Sequence, residues 1–480
     1  MIHSLRRIIS TLALLILSIN TLTHSVSVMA QDRSSLRNSQ SGAIRYELGR
    51  RTRILEQAWI DCNDAKRRMV AVPQVNTAVM AFFSSKADSV ARSLAKATAT
   101  LQAEEQSPAQ TWADALHVSI GPRLVSTDTA QLSVQLDWLY EPSVERPDMS
   151  VRLSMNGDDA DLTALSLSKL PLEDSCDLPA TDQDSDDRLT VTIADTAGSA
   201  IRQFEVGISR IHDVAGRLHK ISSKLEESSD DKDLQVSTAR YLTKLLTDRA
   251  AGVIHETDYP AAKLLQDAES LVGSDSEAES TAGEYYVAVP AGERTVAVRV
   301  LAPKADPNVV VVALHGAGGT ENMFFEAYGN GMIADLCRER GWTLISPGHR
   351  GPRDDVWQVI EAAESVVGGK PKFRFMVGHS MGAMTALSLG QQHPERLQGL
   401  AAVSGGGAGD LKKLASLPVF LSAGNYDFGL SGTKAAAAAL KKLDAPVRVE
   451  YYDSEHLLIV PDALPDIFGW FDDIAAGQSE

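Results

Sequence analysis

Three residues late in the chain have the types and the spacing for nucleophilic acyl chemistry. Gly378-His379-Ser380-Met381-Gly382 sets a serine between two glycines, after the apolar Phe373, Phe375, Met376 and Val377 and before a helix-period run through Ala383, Ala386, Leu387 and Leu389. A G-x-S-x-G pattern between a strand and a helix forces the serine into a sharp, strained turn that lifts its hydroxyl above the sheet. That hydroxyl is a weak nucleophile until a base removes its proton, and the base needs a carboxylate to orient it. In the chain order serine, acid, histidine, the candidates are Asp427, just after the apolar run 419–423, and His456, just after 447–452. Asp444 precedes its strand, His393 sits at a helix end, and His349 comes before the serine in the chain.

A carbonyl under attack develops negative charge on its oxygen, which N–H donors must meet. His315-Gly316-Ala317-Gly318-Gly319 follows the apolar run 309–314 and supplies N–H groups free of side-chain obstruction. Such a turn can also cradle a phosphate, but neither G-x-G-x-x-G nor G-x-x-x-x-G-K-[S/T] is present. The reading assigns the oxyanion donors to Ala317 and Met381, with Gly316 as the alternative. Met323, Phe324, Phe325, Tyr328, Tyr426 and Phe428 are candidates for a substrate pocket, chiefly Phe324, Tyr426 and Phe428. The histidines and cysteines lack ligand spacing, so neither a metal nor a cofactor is expected.

Taken together, the 378–382 turn, the 315–319 loop, Asp427 and His456 resemble an α/β-hydrolase catalytic domain. Within that family the chain is similar to small bacterial esterases of the dienelactone-hydrolase, carboxylesterase and prolyl-oligopeptidase-related type. The resemblance covers 284–480. It implies a triad of Ser380, Asp427 and His456, with oxyanion donors at Ala317 and Met381. Ala383 stands where glycine often follows the pattern, and 404–418 is short where many relatives insert a helical lid. An open pocket suited to soluble esters or bulky acyl compounds is therefore expected. The function read from these features is hydrolysis of a small-molecule carboxylic ester through an acyl-enzyme. The alternatives are a prolyl-oligopeptidase-like serine peptidase, and a binding or scaffold protein with an accessory hydrolase domain.

The elements that must position these residues are legible as apolar runs at 285–289, 296–301, 309–314, 343–346, 373–377, 399–403, 419–423 and 448–452, with helix-period sequence between most of them. This is the pattern of a mainly parallel sheet covered on both faces, with its reactive groups at the carboxyl ends of strands. The fold class is α/β at the C-terminus, preceded by a separate region of helices and antiparallel strands. In that region, 42–70 and 75–101 read as two helices separated by Pro73. Alternation at 132–138, 151–155 and 189–193 reads as a small sheet or sandwich, and 208–271 as helix again. The acidic run 182–187 reads as a loop, with calcium binding as a minor alternative. His117, His212, His219 and His255 are scattered, and nothing in 31–280 carries a chemical signature beyond a possible surface for an unknown partner.

The ends and the charge set the remaining bounds. Arg6 and Arg7 precede the apolar stretch 8–19 and the small-residue run Val28-Met29-Ala30. That stretch is shorter than the roughly 20 residues of a membrane span, so 1–30 reads as a cleaved signal and the chain as exported, periplasmic or secreted. No membrane span is expected after cleavage. The small, acidic 273–283 reads as a linker between 31–272 and 284–480. With 46 basic and 63 acidic residues the net charge is −17, which disfavours nucleic acid as a partner. Cys62, Cys176 and Cys337 form an odd set read as buried thiols, and a Cys62–Cys176 bridge stays open.

Overall fold

The computed structural model describes residues 35–477 apart from 105, 146, 157–161, 168–169, 229–232, 274–281, 304–306, 352–354 and 407–409. The expected signal at 1–30 and most of the expected linker at 273–283 lie outside the described residues.

The described residues open with three helices, α1 (Ser35–Asp61), α2 (Ala65–Phe83) and α3 (Ala87–Gln102), not the two that Pro73 suggested. The break falls at 62–64, where the Asp64 carboxylate accepts the Lys66 and Arg67 N–H groups at 2.9 and 3.3 Å and starts α2. Pro73 lies inside α2 on its exposed face. A helix-interior proline costs about 3 kcal/mol. That cost is offset by the apolar stripe of Val72, Val75, Ala78 and Ala81, which packs against Val90, Leu94, Ala97 and Leu101 of α3.

After α4 (Pro108–Ala115) come β1 (Leu116–Gly121), β2 (Leu124–Ser126), β3 (Gln131–Trp138), β4 (Met149–Met155), β5 (Thr163–Ser166), β6 (Leu172–Asp177), β7 (Ser185–Asp195) and β8 (Ala200–Ile211). They form one sheet of order β1-β3-β6 and another of order β2-β8-β7-β4-β5. Leu132, Val134 and Leu136 of the first share a core with Val151, Leu153, Val191 and Ile193 of the second, which makes a sandwich. The acidic run is partly strand, since β7 starts at Ser185. Three of its four carboxylates are engaged by the protein: Asp184 by Arg217, Asp186 by the Ser209 hydroxyl, and Asp187 by Arg210. Helices α5 (Val214–Glu227), α6 (Leu234–Ala250) and α7 (Ala261–Gly273) complete this half.

The second half runs β9 (Gly283–Ala291), β10 (Arg294–Ala302), β11 (Val309–Leu314), α8 (Met323–Glu326), α9 (Met332–Arg340), β12 (Thr343–Pro347), α10 (Val356–Val367), β13 (Phe373–His379), α11 (Met381–Gln392), β14 (Gly399–Val403), β15 (Val419–Gly424), α12 (Leu430–Lys441), β16 (Val447–Tyr452) and α13 (Ile459–Ala475). The eight strands expected from sequence are all present, in one sheet of order β16-β15-β14-β13-β11-β12-β10-β9. The run from β12 to β16 is parallel, and β9 and β10 add an antiparallel edge. Along β11 successive side chains serve opposite faces. Val310, Val312 and Leu314 pack under α10, α11 and α12, while Val309, Val311 and Ala313 pack under α9 and α13. Strand order reverses beside β11, whose chain neighbour β12 lies on one side and β13 on the other. That places the loops after β11 and β13 together at the carboxyl edge.

The three cysteines are buried and unpaired, in three different cores: Cys62 among the first helices, Cys176 in the sandwich and Cys337 below the large sheet. The halves also share packing. Leu458 lies in the core of α1–α3, and Tyr286 in that of α5–α7.

Candidate active site

Ser380 sits between β13 and α11 with φ 55° and ψ −114°, a conformation L-residues avoid. Its surroundings enforce the turn. A Cβ on Gly378 would lie 2.2 Å from the Gly382 carbonyl oxygen, and one on Gly382 would lie 1.8 Å from the Leu314 carbonyl oxygen, so both positions require glycine. The Ser380 N–H donates to the Val403 carbonyl at 2.9 Å, which ties the turn to β14.

Asp427 lies in the loop after β15 and His456 in the loop after β16, and the fold brings both to Ser380. His456 Nε2 is 2.9 Å from Ser380 Oγ, and His456 Nδ1 is 2.8 Å from Asp427 Oδ1. Asp427 Oδ1 also accepts the Gly429 N–H at 2.7 Å. Burial works against the Asp427 carboxylate, but the hydrogen bond and charge of His456, with smaller help from Ser404 and Gly429, hold its pKa below the usual value. Asp427 and His456 are buried, whereas Ser380 is only half-buried and open to a reactant.

The 315–319 loop meets the serine from β11. A Cβ on Gly316 would stand 3.4 Å from Ser380 Cβ. The Gly316 N–H is engaged by the Tyr328 hydroxyl at 3.1 Å, which removes the alternative donor. Among the described residues neither the Ala317 N–H nor the Met381 N–H has an acceptor. Met381 opens α11, so its N–H is one of the helix's free N-terminal donors. His349, passed over on chain order, braces this loop by donating from Nε2 to the His315 carbonyl at 3.1 Å.

The pocket candidates separate. Phe324 is fully buried, edge-on to Tyr328 at 4.8 Å, so its ring offers no surface to a substrate. Tyr328 is buried too. Tyr426 and Phe428 are at the rim, where the Phe428 ring stacks on His456 with centroids 4.0 Å apart. The opening is not bare, as the short 404–418 segment had suggested. The end of α2 occupies its edge. A Cβ on Gly318 would lie 2.8 Å from the Phe82 ring, Phe83 meets Phe428 edge-on at 6.3 Å, and Asn76 Nδ2 donates to the Tyr426 carbonyl at 3.2 Å. Phe82, Phe83, Tyr426 and Phe428 all remain at least 36% exposed. Sequence reasoning missed the two α2 phenylalanines because only long-range packing brings them here.

Among the described residues no group of three or more His, Cys, Asp or Glu side chains is arranged to hold a metal ion, and no helix is long and apolar enough to cross a membrane. The arrangement at Ser380 can pass a proton from a hydroxyl to an imidazole beside two free N–H donors, the requirement of acyl transfer.

No curated protein matches the chain. Solved structures similar to part of the chain include the fluorophosphonate-binding serine hydrolase F of Staphylococcus aureus, 12% identical, covering 39% of this chain and 98% of that one with a TM-score of 0.34. The esterase Pf2001 of Pyrococcus furiosus is 12% identical over 41% of this chain and 93% of its own, with a TM-score of 0.34. A carboxyl esterase of Bacillus coagulans is 14% identical over 42% and 100%, with a TM-score of 0.33. Likeness at this level carries no argument about activity. The model of the alpha/beta hydrolase family matches residues 311–477, from β11 through α13. With its sheet order and the turn at Ser380, the C-terminal part of this chain is an α/β-hydrolase segment.

Proposed function

We propose that this chain is an exported serine hydrolase of carboxylic esters, acting through an acyl-enzyme on Ser380. The observation that carries the reading is the continuous hydrogen-bonded path from Ser380 Oγ through both His456 nitrogens to Asp427, at 2.9 and 2.8 Å. In this mechanism His456 takes the hydroxyl proton as Ser380 attacks the ester carbonyl. Asp427 fixes the imidazole tautomer and stabilises its cation. The oxyanion rests on the Ala317 and Met381 N–H groups. Collapse expels the alcohol with the proton from His456, and water then repeats the sequence to release the acid. The exposed aromatic rim of Phe82, Phe83 and Phe428 favours an ester with an apolar acyl or aryl group over a small polar one.

Labelling with a fluorophosphonate and turnover of 4-nitrophenyl butyrate test the reading. Ser380→Ala is expected to abolish labelling and lower turnover by about 10³-fold or more. Retained turnover in that variant would remove Ser380 from the mechanism. An ester and an amide with the same leaving group distinguish esterase from peptidase. Export is tested by sequencing the N-terminus of protein recovered outside the cytoplasm, with Gln31 expected first.

A further inference from the structure

Beneath the site runs a second hydrogen-bond path that the reaction itself does not use. His379 Nε2 is 2.8 Å from the His456 carbonyl oxygen, and its Nδ1 is 2.7 Å from the Tyr328 hydroxyl. A carbonyl only accepts, so Nε2 carries the proton. The ring is fully buried and neutral, since burial and the nearby His456 lower its pKa to about 3. Nδ1 must therefore accept, which fixes the Tyr328 hydroxyl as its donor. The Tyr328 oxygen in turn accepts the Gly316 N–H. One tyrosine thus fixes both the loop that presents Ala317 and, through His379, the backbone of His456.

Tyr328 is itself held in an unfavourable conformation. Tyr328, Gly329, Asn330 and Gly331 have successive φ values of 55°, 86°, 57° and 82°. A run of left-handed residues turns its N–H groups to one side, and a tyrosine in that region is strained. The acceptor for those donors comes from the other half of the protein. Glu56 of α1, fully buried, accepts the Tyr328 N–H at 2.9 Å on one carboxyl oxygen, and the Gly329 and Asn330 N–H groups at 3.1 and 3.3 Å on the other. Beside it Asn330 Nδ2 donates to Gln57 Oε1 at 2.9 Å.

We propose that Glu56 is a positioning residue for the Ser380 site, acting through Tyr328 and His379, so that the N-terminal helices are required for full turnover and not only for stability. The inference rests on the hydrolase reading given above. Glu56 touches neither substrate nor reacting atoms; it fixes the backbone of Tyr328, and Tyr328 sets the geometry of the oxyanion loop and of His456. A small displacement of either costs rate while leaving the rim that binds substrate in place.

The test uses the full chain, with sites counted by fluorophosphonate labelling so that unfolded protein drops out. For Glu56→Ala, and for Tyr328→Phe, which removes a single oxygen, kcat per labelled site on 4-nitrophenyl butyrate is expected to fall about tenfold or more, with KM within about threefold. Because both act along one path, the double variant is expected to be no more than about threefold worse than the weaker single one. Glu56→Gln, which keeps one acceptor oxygen, should fall between wild type and Glu56→Ala. A Glu56→Ala protein with a lower melting temperature but wild-type kcat per labelled site would overturn the proposal, as would fully multiplicative losses in the double variant. Failure of the wild type to label at Ser380 would instead strike the hydrolase reading, so the two failures are distinguishable.

Discussion

Asp427 has one oxygen committed twice, to His456 Nδ1 and to the Gly429 N–H. An amide at this position can keep that one acceptor but loses the negative charge that stabilises the imidazolium, and it places an NH₂ group where the buried Oδ2 lies. Asp427→Asn is therefore expected to lower kcat about 10³- to 10⁴-fold, with little change in stability or in KM for 4-nitrophenyl butyrate. A loss below about tenfold would mean that the imidazole is oriented by something else. At this scale the sequence was informative where chemistry is local. The glycines around Ser380 announce the turn because a Cβ there would strike backbone, and Asp427 and His456 follow apolar runs directly. Glu56 and Tyr328 lie 272 positions apart. Nothing in a helix with many arginines distinguishes that glutamate until its partner is seen.

The central strands β11 to β15 were legible because each is a short apolar run buried on both faces, while the edge strand β16 is only half-buried, and each boundary was within a few residues. Pro73 misled for a physical reason. Proline forbids a helix only where neither packing nor position offsets the lost hydrogen bond, and on the exposed face of α2 both do. Helix α2 also ends at Phe82 and Phe83, which give an edge to the opening that the short 404–418 segment was expected to leave bare. Replacing both by alanine should raise KM for 4-nitrophenyl hexanoate roughly tenfold, the scale of one aromatic contact surface, while KM for the acetate changes little. Equal changes for both esters would show that α2 only fastens the loop and does not contact the acyl group.

Across the whole molecule the halves are joined by buried groups that titrate. Tyr241 of α6 donates to Glu321 at 2.9 Å, Glu56 caps the Tyr328 turn, and Glu455 accepts the Leu457 and Leu458 N–H groups, Leu458 being packed among α1–α3. This joint was not legible in the sequence, where a glycine-poor first half and an acidic stretch near 273–283 read as two separate bodies. Burial raises all three carboxyls from 4.5 to about 7, and repulsion from Glu256 at Glu321 and from Asp427 and Asp462 at Glu455 adds to it, while the N–H groups that donate to Glu56 and Glu455 and the Tyr241 hydroxyl at Glu321 only partly oppose it. The folded form then holds more protons than the unfolded form between about pH 4.5 and 7, so the stability these groups contribute is lost as pH rises through that window. Buried histidines oppose them lower down. Burial drops His315 to about 4 and His379 to about 3, from 6.5, which costs stability only below about pH 6.5. The two sets offset each other until the histidines are neutral in both states, and only the carboxyl effect remains above that point. The melting temperature should therefore fall by roughly 2–4 °C between pH 6.5 and 8. Glu321→Gln keeps an acceptor for Tyr241 and removes one of the three ionisations, so it should melt higher at pH 8 with a shallower decline. A wild-type melting temperature that rises across this interval would show that the joint between the halves does not titrate.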